Sequence, residues 1–462
     1  MLFSLTPLTA TIEVVARAGG GGSSSGGGGG GELFALLGYF PSYYLGKLVK
    51  KLLPRRAELI VSATFASIVS IILIVLASFM GFIGFYIMSL IIIGIWAGWA
   101  AAFFGIWDRL HKRSKKAKEM IAIAAQSDSS WNEPALVEYA KQCFMRYQYD
   151  WSTFDLTSIT TYSTPEYAKH SALLLQALRE LGRTNRISNV EIEECQIIDV
   201  RDDMSANNSD NFTIAFQAKA LDELIDGDGT TLFTDRRPFV EEWTFVRSGA
   251  TWLLHDIHQN TASAMSRSQS LVNLASSKGM YYSLDMGWLL IPNRGVVMAS
   301  GTFGQSDINN HVIGLYNGLL FQLYTYTPVP HGRYTTSMLI VQLTLPKSYR
   351  GILVQRTPKF FSNSATFTKP PKEYTKYTYE WPEFNQRYTV HATDADRLAS
   401  FELINPGFMT YLYDNDPGIG IEVVDSTLYL FKYIPQHAGN IPSQSYEAMF
   451  EIAMRAYKEL RL

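Results

Sequence analysis

Glu241 and Glu242 stand side by side in the run Phe239-Val240-Glu241-Glu242-Trp243-Thr244-Phe245-Val246-Arg247. Adjacent acids beside aromatics suit proton transfer, because burial raises a carboxyl's pKa into the working range. On a strand, alternate residues share a face. Glu241 therefore lies with Trp243, Phe245 and Arg247, and the arginine is offered as its ion-pair partner. Glu241, Glu242, Trp243, Phe245 and Arg247 are thus the candidate pocket. The competing reading is structural: an ion pair at the rim of a sheet, with Trp243 and Phe245 as core anchors. We favour the structural reading.

Other chemistry-bearing patterns are weaker. Asp226-Gly227-Asp228-Gly229 has the look of a calcium loop, but Thr230-Thr231-Leu232 breaks the ligand series, so a tight turn between a helix and a strand is expected. His255 and His258 are three apart and point to opposite faces of a strand, which prevents joint metal binding. Cys143 and Cys195 have no metal-type spacing and cannot form a disulfide framework. No Ser-His-Asp pattern, nucleophile elbow, Walker motif or HExxH occurs. No catalytic residue, cofactor or metal is expected.

The strongest physical signal is charge. Residues 109–118, RLHKRSKKAK, hold Arg109, Lys112, Arg113, Lys115, Lys116 and Lys118 with no acid. This cationic collar suits contact with anionic headgroups, at on the order of 1 kcal/mol per cation near the surface. It equally serves as a topology determinant. Residues 1–108 carry a net +2, the collar +6 and residues 119–462 −10. The overall net charge of −2 gives no sign of bulk nucleic-acid binding.

The collar follows an apolar stretch. Charged residues make up only 18% of the 462 residues, and residues 59–107 contain none, which excludes an ordinary soluble protein. One helix over that stretch would be about 74 Å long against a hydrocarbon core of about 30 Å. Two spans are expected, turning near Gly81-Phe82-Ile83-Gly84. Basic residues flank both ends, so the positive-inside rule puts both flanks on the cytoplasmic side. Gly94 and Gly98 form a GxxxG pair, read as close packing inside the hairpin or as a route to self-association. Upstream, residues 32–58 are juxtamembrane. Residues 19–31 are a Gly/Ser linker, and the first residues carry a weak leader-like pattern, with Ala16-Arg17-Ala18 ahead of Gly19.

Residues 108–130 are collar and linker, and a soluble unit is expected over 131–262. Asn132 caps a helix with Pro134 in its first turn, and Leu136, Ala140, Cys143, Phe144 and Tyr147 share its inner face. Thr164-Pro165-Glu166 starts a second helix, ended by Gly182. Four period-two strands follow, through Val190 and Ile192, then Phe212 to Ala218, then Phe239 to Phe245, then Trp252 and Leu254. Helices followed by antiparallel strands make an α+β unit. Residues 263–462 form another, with strands at 280–284, 288–292, 337–345, 420–424 and 428–434. Helices are expected there at 394–403, 406–412 and 442–460, and a loop insertion at 356–380.

The run from Phe239 to Arg247, with Trp252-Leu253-Leu254, Ile257 and Gln259, resembles the closing strands of the bacterial Tim-forty-four-like domain family. Trp151, Asp155-Leu156, Thr164-Pro165-Glu166-Tyr167 and Gly182-Arg183-Thr184-Asn185 precede it in the expected order. The family takes its name from the membrane-docking domain of a mitochondrial import-motor scaffold. The resemblance implies a nuclear-transport-factor-like, cystatin-like α+β cone, often with an apolar pocket. Farther on, Phe384 to Val390, Asp394 to Arg397 and Leu403-Ile404-Asn405-Pro406-Gly407-Phe408-Met409 are similar to domain of unknown function 3137, which implies no activity. The sequence thus reads as a membrane-anchored, non-catalytic binding or scaffold protein of a bacterial inner membrane. It would have soluble domains on the cytoplasmic side, anionic lipid as one partner and protein partners it does not name. The alternatives are an enzyme using the pocket carboxylate, and a lipid- or solute-handling module.

Overall fold

The computed structural model describes residues 32–52, 55–79, 81–104, 106–203, 209–259, 268–283, 287–290, 292, 294–298, 308–326, 337–357, 369–415, 418–434 and 443–460. The leader-like start and the Gly/Ser linker lie outside the described residues, as do the side chains of residues 50–59 and 100–109, Arg109 among them.

Two helices form the apolar hairpin, α2 (Arg55–Ser78) and α3 (Gly81–Phe104). Within them Ile60–Ser78 and Gly81–Trp99 are long and apolar enough to cross a membrane. Gly81 takes the turn at φ +67°, which favours glycine. Two indoles fasten the pair: Trp96 Nε1 donates to Ser70 Oγ at 3.2 Å, and Trp99 Nε1 to Ser62 Oγ at 3.0 Å.

Within residues 32–58, where the sequence indicates no helix, α1 (Glu32–Leu52) runs before the hairpin and packs along α3. A Cβ at Gly38 would collide with the Ile91 carbonyl, and one at Gly98 with the Tyr39 carbonyl. Two backbones approach where only glycine fits. Gly98, half of the GxxxG pair, is therefore taken up inside the chain, against α1. Gly94 is buried.

The first α+β unit places α5 (Glu133–Ser152), α6 (Leu156–Thr160) and α7 (Pro165–Glu180) before five strands. These are β1 (Thr184–Arg201), β2 (Asn211–Ile225), β3 (Thr231–Asp235), β4 (Phe239–Ser248) and β5 (Thr251–Gln259), in antiparallel order β1-β2-β4-β5 with β3 on the end of β2. The caps are those the sequence indicates. Asn132 accepts from Ala135 N at 3.1 Å, Thr164 accepts from Tyr167 N at 3.3 Å, and Gly182 sits at φ +68° after α7. Asp226-Gly227-Asp228-Gly229 is a turn, but it joins strands β2 and β3, not a helix and a strand.

The second unit is built on one bent strand, β9 (Ser337–Arg356). Along one edge it pairs throughout with β12 (Gly420–Ile434), which is a single strand where the sequence suggested two. Along the other edge its first half pairs with β8 (Leu319–Tyr326) and its second half with β11 (Tyr388–Ala392). The sheet of seven described strands runs β10-β11-β9-β8-β7-β6, with β6 (Tyr281–Ser283), β7 (Ile308–Tyr316) and β10 (Thr375–Tyr377) completing it. α8 (Gln269–Ser277), α9 (Pro382–Arg387), α10 (Arg397–Leu403), α11 (Pro406–Asn415) and α12 (Ser443–Glu459) pack on it. The strand expected at 288–292 is instead a 3₁₀ turn, Gly287–Leu290. Leu289 and Leu290 of that turn, with Tyr324, Tyr429 and Phe431, join the core of the first unit, so one apolar core runs through both.

Candidate functional site

The collar is not a linker. It lies within α4 (Ile106–Ala124), which packs on β1. Leu110, Ser114, Ala117, Ile121 and Ala124 recur at intervals of four and three and are all buried, between 1% and 4% exposed. Leu110 meets Ile198, Ala215 and Val240 on the face of the sheet opposite α5 and α7.

At about 100° per residue, the remaining side chains sort themselves. Arg113 and Lys118 flank the buried stripe on its two sides. Both find acids on the domain: Arg113 Nη1 meets Glu242 of β4 at 3.0 Å, and Lys118 Nζ meets Glu133 of α5 at 2.9 Å. Lys112, Lys115 and Lys116 lie opposite the stripe with Glu119, and all four are exposed. His111 Nδ1 and Gln196 Oε1 are 3.2 Å apart. The helix is also tied just beyond its end: Asp128 pairs with Arg247, whose Nη1 also donates to Asp210 Oδ2 at 3.0 Å. The hydrogen bond from Arg247 holds the Asp128 carboxyl below its usual value. α4 is therefore a fixed rod on the domain, presenting a cationic edge directly after the apolar hairpin.

The second candidate set does not assemble as one pocket. Glu241, Trp243 and Phe245 share the inner face and are each 0% exposed. Trp243 Nε1 donates to Glu241 Oε2 at 2.8 Å. Glu242 faces the other way, toward Arg113. Arg247 does not pair with Glu241, contrary to the sequence expectation. Six residues along a strand is roughly 20 Å, and Asp128 and Asp210 stand nearer. The interior of the cone is occupied by rings: Phe144 lies 4.6 Å from Phe216 and 5.0 Å from Trp243, Tyr147 5.6 Å from Trp243, and Trp131 5.1 Å from Trp252. Glu241 is thus a hydrogen-bonded acid inside an aromatic core. Cys143 is buried in the same core, and burial pushes its thiol well above the usual range. His255 and His258 are both exposed on β5.

The residues that carried the family resemblance are mostly structural. Trp151 Nε1 donates to Asn185 Oδ1 at 2.9 Å, and Asn185 Nδ2 donates to Asp222 Oδ1 at 2.6 Å. Arg183, 3% exposed, donates to the carbonyls of Pro292 at 3.0 Å and Leu289 at 3.4 Å. This joins the first unit to the turn that opens the second. Beyond it, Glu422 is fully buried and accepts from Val297 N at 2.9 Å and from Val296 N. The sequence reading missed this buried polar seam, because no local pattern links Arg183 or Glu422 to residues 289–297.

Residues 117–259 match the Tim44-like domain family, so the chain contains such a domain, beginning inside α4. The match covers under a third of the chain and stops short of the second α+β unit. No curated protein matches the sequence. Three solved structures are similar to parts of it. The mycobacterial trehalose monomycolate transport factor A, TtfA, has 14% identity over 41% of this chain and 90% of its own, with a TM-score of 0.28. The intermembrane space region of the chloroplast protein ARC6 has 13% identity over 27% and 96%, with a TM-score of 0.21. An Ntf2-like protein involved in plasmid conjugation has 10% identity over 44% and 85%, with a TM-score of 0.16. Superpositions this loose say nothing of role. The Tim44-like domain and two membrane-length apolar helices make this a membrane-associated protein.

Proposed function

We propose that the chain is a non-catalytic docking scaffold of a bacterial inner membrane, with both α+β units on the cytoplasmic side. In the same reading its second unit is a member of domain of unknown function 3137, on the residues that resemble that family. The observation that carries the reading is the orientation of α4. Its apolar stripe and its flanking cations Arg113 and Lys118 face the domain, and Lys112, Lys115 and Lys116 lie on the opposite, exposed edge, directly after the hairpin. Arg109, three residues before Lys112 in the sequence, is a fourth headgroup contact. Anionic headgroups match that edge, and the acidic remainder of the chain is repelled by the same surface, which holds it at a fixed stand-off for partners.

The test uses the full chain purified in mild detergent with its co-purifying phospholipid counted by mass spectrometry. Replacing Lys112, Lys115 and Lys116 by Gln should lower the anionic lipid retained per chain, and raising salt should lower it in the wild type, since screening shortens from about 10 Å at 0.1 M to about 3 Å at 1 M. Equal retention by both proteins contradicts the reading.

A further inference from the structure

Between α1, α2 and α3 lies a cavity of about 300 Å³. Its walls are Leu37 and Leu45 of α1, Val69 and Leu73 of α2, and Ile91 and Ile95 of α3. Ser62, which also lines it, accepts the Trp99 indole hydrogen bond at 3.0 Å. The surface offered inward is accordingly almost wholly hydrocarbon. Leu37 and Phe65, both on the lining, are 59% and 53% exposed, so the cavity opens sideways from the helix cluster.

We propose that this cavity binds one acyl chain of a bilayer phospholipid. The inference rests on α2 and α3 being membrane spans. Given that, the medium at the opening is lipid tail, and an apolar void beside it forfeits dispersion contacts until a chain fills it. Dimensions agree with a single chain. From Ser62 to Leu73 the helix rises roughly 16 Å at about 1.5 Å per residue. The volume holds on the order of ten groups the size of a water molecule, at roughly 30 Å³ each. Orientation follows from the hairpin. Ser62 and Trp99 lie at the end from which α4 departs, whereas Leu73 and Ile91 lie deeper. The headgroup therefore stays at the collar end and the methyl end points inward. This site is separate from the cationic edge of α4: it reads the tail, whatever the headgroup.

The experiment uses the full chain in vesicles of phosphatidylcholine and phosphatidylglycerol doped with a phospholipid carrying a diazirine on its acyl chain. After irradiation, adducts are mapped by mass spectrometry. Leu45 and Val69 should label several-fold more than Ile71 and Ile74, which are exposed on α2 and contact bulk lipid. Val69→Phe fills the cavity and should bring adducts on Leu45 down to the level of Ile74, with Ile71 and Ile74 unchanged. Leu73→Phe fills it from the deep end and should do the same, which guards against one variant disturbing the helices. Labelling of Leu45 and Val69 no stronger than that of Ile71 and Ile74, or unchanged by either variant, overturns the cavity as a tail site while leaving the spans intact. Absence of adducts on Ile71 and Ile74 as well overturns the spans themselves.

Discussion

Arg113 on α4 and Glu242 on β4, 129 residues apart in the chain, meet through two hydrogen bonds from Nη1, at 3.0 and 3.1 Å. The contact turns a run of positive charge into an oriented surface, because it fixes which way the rest of α4 faces. Arg113 is 45% exposed, so the pair contributes only about 0.2–1 kcal/mol to stability. A double-mutant cycle over Arg113→Gln and Glu242→Gln, read by denaturant unfolding, should return a coupling in that range. Additive effects would show that the pair does not orient the helix.

Trp243 is fully buried among Phe144, Tyr147 and Phe216. Trp243→Ala should lower stability by roughly 3–5 kcal/mol, as large buried aromatics do. A variant with wild-type stability that has lost a bound ligand would mark the cone as a binding pocket instead.

Three groups desolvated by the fold, the half-buried His170 and the buried His311 and Glu422, give stability a defined pH dependence. Burial lowers His170 to about 3 and His311 to about 4, both from 6.5. The fold keeps them neutral while the unfolded chain takes up protons, so their contribution is whole above pH 6.5 and falls as pH drops toward 4. Glu422 acts in the opposite sense. Burial raises it from 4.5 to about 7, against the Val296 and Val297 amides, so its contribution is whole below pH 4.5 and is lost as pH rises to 7. Melting temperature against pH should steepen on the acid side, where two histidines outweigh one carboxyl. His170→Gln with His311→Gln should flatten the acid limb, and Glu422→Gln should steepen it between about 4.5 and 6.5 by removing the one contribution that opposes the histidines. An acid limb unchanged by the double histidine variant would refute the assignment.

Gly98→Leu places a side chain against the Tyr39 backbone and should push α1 away from α3. Cysteines at Leu37 and Leu73, which line the cavity from α1 and α2, should be joined readily by a short bifunctional thiol reagent in the parent and poorly in the Gly98→Leu variant. Equal cross-linking would show that α1 does not depend on that glycine.

These residues also show what the sequence discloses. The hairpin was legible because a bilayer demands long uncharged runs, and α5 and α7 because Asn132, Pro134, Thr164 and Pro165 mark helix starts chemically. α1 was not, since Gly38, Pro41 and Gly46 argue against a helix by propensity, and the reason for Gly38 is the approach of a distant backbone. The role of α4 was hidden by its small side chains. Ser114, Ala117 and Ala124 make a faint stripe beside six cations. The apolar run at 288–292 satisfies a strand pattern and a buried turn equally, and only Arg183, far upstream, decides between them. Asn317-Gly318 did carry a local signal for the hairpin between β7 and β8. Both residues have positive φ, as such a turn requires, and the sequence reading did not use it.

The most direct test of the docking edge places a fluorophore on a cysteine at position 116 of the full chain, reconstituted in phosphatidylcholine vesicles. Quenching is read from trace nitroxide lipids labelled at the headgroup, either anionic or zwitterionic. The account predicts stronger quenching by the anionic lipid, lost as salt rises from about 0.1 to 1 M and lost when Lys112 and Lys115 are Gln. Equal quenching by both lipids, indifferent to salt, would contradict it.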